Sequence, residues 1–299
     1  MRTALALIAG TALLAAGCGL PNHHLIHPTA PAPDVTTWSA DFERDGLRVH
    51  VEGARPAGSG PFPTVLVHPE GGKTANDMRG VIWDLAGRGY AALAADYRRW
   101  SEGEWRRNVI AWRSLDDARL LLDVTRAYPE IDQMRIGALG FSQGGVFSLL
   151  MAAHAPDRVR AVVAYYPVTD FPHWFAHERA GIGEEFVWSR IRAWFREQSE
   201  AASDEEFETM LQRASALYVA ERIEAPVLLL HGARDALAPV EESQRMAERL
   251  RSAGRTVELI IPEEGIHLFN FRQPGPATRA WTATLAWLER YLRRADFIP

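Results

Sequence analysis

The sequence predicts an α/β fold with a mostly parallel sheet covered by helices on both faces. Two observations carry that reading. Short, solidly apolar runs recur from residue 63 onward, as in strands buried on both sides. Between them lie stretches of helical spacing, and alternation of the two patterns implies βαβ units. A third observation adds to the plan: about sixty residues separate the run ending near Pro167 from the one starting at Pro226, far more than a usual connection.

Taken in order, Trp38 to Phe42 and Leu47 to Val51 alternate polar and apolar residues around Arg44-Asp45-Gly46, which predicts a hairpin. Pro63 to Val67 is a strand. Residues 77 to 88 form a helix through Met78, Val81, Ile82 and Leu85, closed by Gly87 and Gly89. Tyr90 to Ala95 is a strand, Leu115 to Ala127 an amphipathic helix before Pro129, and Met134 to Leu139 a strand. Gly144 to His154 is an apolar helix stopped by Pro156, and Val159 to Tyr166 is a strand. After the long connection come a strand at Pro226 to Leu230, a helix at Val240 to Ala253 ending at Gly254, a strand at Val257 to Ile261 and a closing helix at Thr278 to Arg294.

Composition excludes several classes. The 299 residues are 47% hydrophobic and 24% charged, with a formal net charge of −5 and no basic stripe, so nucleic acid is not expected as a partner. The ten Trp and seven Tyr are read chiefly as core.

The N-terminus is expected to lie outside the fold. Arg2 supplies a positive start, and Ala4 to Ala16 is a run of thirteen small and apolar residues, too short to span a bilayer but right for a secretory signal over residues 1–17. It ends at Ala15-Ala16-Gly17-Cys18, with Cys18 the only cysteine in the chain. This resembles the lipobox of bacterial lipoproteins, although Ala15 stands where leucine is usual. The resemblance implies a lipid on Cys18, with Gly19 after it matching outer-membrane sorting; the alternative is a secreted or periplasmic protein with an incidental cysteine. Residues 18–36 read as a linker: Gly19 to Asp34 holds four prolines and the solvated histidines 23, 24 and 27. The domain is expected from 37 to 299, with the membrane reached only through the lipid.

Within the long connection, roughly 171–217, stand Trp174, Phe175, Phe186, Trp188, Ile191, Trp194 and Phe195, followed by Asp204-Glu205-Glu206. Part of this stretch must be a crossover helix. The rest is a helical insertion, either a cap shaping a pocket over the site or an excursion packing its aromatics against the domain.

The chemistry centres on Gly140-Phe141-Ser142-Gln143-Gly144. This G-x-S-x-G follows an apolar strand and opens a helix, the setting in which a sharp turn thrusts a serine hydroxyl out at the sheet edge. A serine needs a base, and the base a carboxylate to hold it. Asp235 follows the Pro226–Leu230 strand and His267 the Val257–Ile261 strand, which puts both at the edge that carries Ser142. Asp170, also after a strand, is the rival acid. His154, His173, His177 and His231 are read as surface or structural, and His50 as remote. An oxyanion needs two donors. One is the backbone N–H of Gln143. The other must come from His68-Pro69-Glu70-Gly71-Gly72, where Pro69 has no N–H; Glu70 is favoured over Gly71. Arg98 and Arg99 are read as a solvated basic pair rather than as contacts to an anionic substrate.

Several stretches resemble the dienelactone hydrolase family, with kinship to prolyl-oligopeptidase-type hydrolases: Gly89 to Asp96, Arg135 to Gly145, Ala161 to Tyr166, Pro226 to Asp235 and Gly265 to Phe269. The resemblance spans about 62 to 295 and implies the α/β-hydrolase fold, a Ser142–Asp235–His267 triad, no metal and no organic cofactor. Family members that open dienelactones carry cysteine at the position of Ser142 and a glutamate at that of Pro69. Both departures point to ordinary esters. The expected partner is a small-molecule ester; oligomeric state is left open. The alternatives are a peptidase, which would usually carry a large domain ahead of the catalytic one, and a silent envelope binding protein, for which an intact triad has no use.

Overall fold

The computed structural model describes residues 25–44, 47–96, 119–176, 192, 193, 195–197, 199 and 201–293. Eight strands form one sheet: β1 (Val35–Arg44), β2 (Leu47–Pro56), β3 (Phe62–His68), β4 (Ala91–Ala95), β5 (Ile131–Phe141), β6 (Val159–Tyr165), β7 (Val227–Leu230) and β8 (Val257–Ile260). Their order is β1-β2-β4-β3-β5-β6-β7-β8. The β1–β2 and β2–β4 pairs are antiparallel, and every pair from β4 through β3 to β8 is parallel. The carboxyl ends of β3, β5, β6, β7 and β8 therefore share one edge, where ligands meet open parallel sheets.

The strands alternate between two cores. Leu66, Ile136 and Ala138 belong to one cluster; Val65, Val67, Leu139 and Phe141 belong to the other. On the second face lie α1 (Arg79–Gly87), preceded by a 3-10 turn at Ala75–Met78, and the closing helix Pro274–Leu288. On the first lie a helical stretch over 119–124, α2 (Gln143–His154), α3 (Phe171–Ala176), α4 (Asp204–Ala214) and α5 (Glu241–Ser252). A four-residue helix, α6 (Phe269–Arg272), leads into the closing helix, α7 (Pro274–Leu288). This is the architecture of the α/β-hydrolase fold.

Element boundaries differ from the sequence reading in places that have physical causes. The first strand starts at Val35 rather than Trp38, because Val35 to Ser39 pair with Glu52 to Pro56 at the far end of the hairpin. The closing helix starts at Pro274 instead of Thr278, since a proline in a first turn forfeits only an N–H that has no intrahelical partner. Residues 45 and 46 of the hairpin turn, and residues 115–118 of the expected helix, lie outside the described residues, as do the signal region with Cys18, Arg98, Arg99 and His177.

Within the stretch read as a linker, Ile26 packs on the core and His27 is 5% exposed. The His27 ring meets Trp281 edge-on at 4.5 Å, and its Nδ1 lies 3.5 Å from Asp84 Oδ2. Asp84 also accepts the Trp281 indole N–H. Among the described residues, no helix is long and apolar enough to cross a membrane.

Candidate active site

Ser142 sits between the last residue of β5 and the first of α2, at φ 52° and ψ −115°. That conformation is disfavoured for a residue with a side chain, at a cost of about 1–3 kcal/mol, and persists only where its surroundings enforce it. Here they do. The Ser142 N–H donates to Tyr165 O at the end of β6 (2.9 Å), and its carbonyl accepts from Gly145 (2.9 Å) and Val146 (3.2 Å). The glycines on either side explain the motif. A Cβ on Gly140 would lie 2.0 Å from Gly144 O, and one on Gly144 would lie 2.0 Å from His68 O. The turn thus closes only if strand, helix and the loop after β3 touch backbone to backbone.

That loop lies directly beside the serine turn. A Cβ on Gly71 would come within 2.8 Å of Gln143 Oε1, so residues 70–71 and Gln143 are neighbours. The loop is fixed along its length: Lys73 N–H bonds Glu70 O (3.1 Å), Thr74 N–H bonds Asp77 Oδ2 (2.9 Å), and Ala75 N–H bonds Asp96 Oδ1 (2.7 Å). His68, 1% exposed, has its imidazole pKa pushed down by burial to about 3, so it is neutral at physiological pH.

Asp235 and His267 meet across the ends of β7 and β8. His267 Nδ1 lies 2.6 Å from Asp235 Oδ2, and a carboxylate acceptor there requires the proton on Nδ1. Nε2 is left with its lone pair. The other oxygen, Oδ1, accepts the backbone N–H groups of Leu237 (2.9 Å) and Ala238 (2.8 Å). A second histidine completes the set. His231 is fully buried, with Nε2 2.9 Å from Ala238 O and 3.5 Å from Asp235 Oδ2. A carbonyl only accepts, so Nε2 carries the hydrogen and Nδ1 accepts from Ser243 Oγ (2.7 Å). Burial by itself would raise the Asp235 pKa; positive charge on His267 whenever that ring is protonated, together with the hydrogen bonds from His231 and His267, outweighs it and holds the carboxyl well below the usual aspartate range.

The loops carrying the pair are locked together. Arg234 N–H bonds Gly265 O (2.8 Å), Ala233 N–H bonds Pro262 O (3.0 Å), and a Cβ on Gly232 would fall 2.3 Å from Gly265 O. Tyr166, at φ 38°, lays its ring 4.7 Å from that of His267 and bonds Asn270 Oδ1 at 2.5 Å. Burial, with Glu70 and Asp235 nearby, raises the Tyr166 pKa well above its ordinary value, so the phenol stays protonated.

The rival acid is engaged elsewhere. Asp170 pairs with Arg245 (2.7 Å). His173 faces the buried Glu242 at 2.7 Å, and His50 lies between Asp41 and Glu52 at 3.0 and 2.8 Å. Of the insertion aromatics, Trp174, Phe175 and Phe195 pack on one another at 4.8 to 6.3 Å and on the core. Phe186, Trp188, Ile191 and Trp194 lie outside the described residues.

Sequence reasoning missed His231, Tyr166, Asn270 and Trp174 as neighbours of the pair. His231 stood four residues before Asp235, directly after a strand, and that position was the one available signal.

Residues 76–295 match the prolyl oligopeptidase family. The chain is 29% identical over 255 residues to a Methylorubrum extorquens protein named "Putative carboxymethylenebutenolidase", covering 80% of this chain and 75% of that one. It is 26% identical over 261 residues to Esterase LipC of Mycobacterium tuberculosis, covering 79% of this chain and 60% of the esterase. Among solved structures, the acylaminoacyl peptidase of Pyrococcus horikoshii superposes with a TM-score of 0.71 at 20% identity; the match covers 88% of this chain and 43% of the peptidase.

Proposed function

Because the chain belongs to the prolyl oligopeptidase family, a family of serine hydrolases, we propose that it cleaves small carboxylic esters through an acyl-enzyme on Ser142. One observation carries the reading: a serine held at positive φ on the same sheet edge as a histidine whose Nδ1 is bonded to a buried carboxylate at 2.6 Å. His267 Nε2 takes the hydroxyl proton as Ser142 Oγ attacks the ester carbonyl. Asp235 stabilises the imidazolium that forms without taking its proton. The negative charge on the former carbonyl oxygen is received by the N–H groups of Gln143 and Glu70. A single donor of this kind is worth roughly 10²–10³ in rate. The imidazolium then protonates the leaving alcohol. Water, deprotonated by the same nitrogen, releases the acid and restores Ser142.

The choice of ester over peptide rests on the names of the two relatives above; Ser142 and Pro69, where dienelactone-opening family members carry cysteine and glutamate, count against dienelactones themselves. The acylaminoacyl peptidase supports a second reading, cleavage of acylated peptide ends. The test is fluorophosphonate labelling with mass spectrometry of the adduct, beside turnover of p-nitrophenyl acetate, butyrate and octanoate and of N-acetyl-alanine p-nitroanilide. Ester turnover with little anilide cleavage, both absent in Ser142→Ala, is the expected result. Dominant anilide cleavage would install the peptidase reading, and a folded protein that neither labels nor turns over would install a binding protein.

We propose further that Cys18 carries lipid and anchors the protein at the cell envelope, facing the periplasm. The thirteen-residue apolar run ending at a lone cysteine supports this. Palmitate incorporation lost in Cys18→Ser is the check.

A further inference from the structure

Asp235 is held by a turn whose own supports come from an unexpected quarter. The Leu237 carbonyl and the Ala238 N–H belong to a single peptide group. On one side, Ala238 N–H donates to Asp235 Oδ1 at 2.8 Å. On the other, the Leu237 carbonyl accepts the indole N–H of Trp174 at 2.8 Å. The result is an unbroken chain, indole N–H to carbonyl, amide N–H to carboxylate. Hydrogen bonds linked through one peptide polarise each other, so the indole strengthens the donor that Asp235 uses.

Trp174 is itself well fixed. It is 7% exposed on α3, whose root is clamped to α5 and to the turn after α4. Glu242 on α5 accepts the N–H groups of Thr169 (2.8 Å) and Asp170 (2.7 Å) on Oε2 and faces His173 Nδ1 across 2.7 Å on Oε1. Phe171 N–H bonds Ser215 Oγ at 2.9 Å. The indole is therefore presented to the acid turn by a rigid root, on the element that leads into the insertion.

We propose that Trp174 is a positioning residue for the acid: through the Leu237–Ala238 peptide it sets the place and the hydrogen-bond environment of Asp235, and so the orientation of His267. The insertion then supports catalysis at its root whether or not its remainder covers the site. This rests on the triad reading above.

Two variants separate the N–H from the ring. Trp174→Phe removes the donor, and 3-benzothienylalanine introduced at 174 by codon suppression keeps the bicyclic shape with sulfur in place of N–H. Steady-state ester kinetics, thermal melts and the downfield proton resonance of His267 Nδ1–H are measured for each, beside wild type and Ser142→Ala. The loss of one such bond predicts kcat lower by about three- to tenfold in both variants, with KM within about twofold of wild type. The downfield resonance is expected to shift or broaden. Wild-type kcat and an unmoved resonance in the benzothienyl protein, with only a lower melting temperature, would show that Trp174 merely packs and would overturn the inference. So would a kcat loss confined to Trp174→Phe. Turnover surviving in Ser142→Ala would instead bring down the triad reading, and this inference with it.

Discussion

Gly144 stands so close to His68 that a Cβ on the glycine would lie 2.0 Å from the histidine's carbonyl oxygen. The contact joins the helix after the serine to the loop after β3, and neither partner is a flexible side-chain tip. Gly144→Ala must push backbone aside, at about 1–3 kcal/mol or more. The expected outcome is a lower melting temperature by calorimetry. A displacement of the 68–72 loop by about 1 Å would also cut ester turnover by roughly 10²-fold.

The positive φ of Ser142 predicts a trade between stability and activity. Glycine adopts φ 52° without steric penalty. Ser142→Gly therefore abolishes turnover and raises the melting temperature; about 1 kcal/mol of relieved strain corresponds to roughly 2–4 °C in a domain of this size class. A melting temperature at or below wild type would count against strain at this turn.

Asp235 makes a signed prediction. Its folded pKa lies below the ordinary value of 3.8. A depressed carboxyl contributes stability that is fully present above the unfolded pKa and is lost as pH falls through the folded one. Asp235→Asn should thus lower the melting temperature above about pH 4, with the gap to wild type closing as pH falls further. At neutral pH the asparagine should reduce kcat by roughly 10³–10⁴ while KM changes little, because the amide holds the wrong tautomer of His267. A constant melting-temperature gap from pH 7 to pH 3 would remove the ionic contribution.

His27 joins the N-terminal segment to the body through Trp281 and Asp84. His27→Ala should cost about 0.5–1.5 kcal/mol, read as a small drop in melting temperature. It should also open the 25–34 stretch to protease while leaving kcat unchanged. Protection equal to wild type would mean that Ile26 and the strand pairing of Val35 hold the segment alone.

What the sequence made legible was local. Apolar runs from Val65, Leu93, Val162 and Leu229 marked strands buried on both faces, and the glycines at 140 and 144 marked the serine turn. Parallel connection then placed Ser142, Asp235 and His267 on one edge without further information. The supports of that edge were not legible, because each joins segments far apart in the chain: Trp174 to Leu237 and Tyr166 to Asn270. Nothing in the periodicity near Trp174 distinguishes an indole that packs from one that also donates to a distant carbonyl. Beginning α7 at Thr278 leaves out its first turn, Pro274 to Ala277, where proline is tolerated because its missing N–H would have no intrahelical partner.

The backbone contact between Gly232 and Gly265 sets the terms on which this protein can change. With no room for a side chain at either position, the backbones of the acid and base loops meet directly, and this contact fixes their spacing alongside the Asp235–His267 bond. Substitutions that spare Trp174 and the two glycines can then accumulate around the site without respacing the proton-transfer pair. Change in the outer surroundings of the pair should therefore be easy to reach by mutation, and change in the chemistry itself hard.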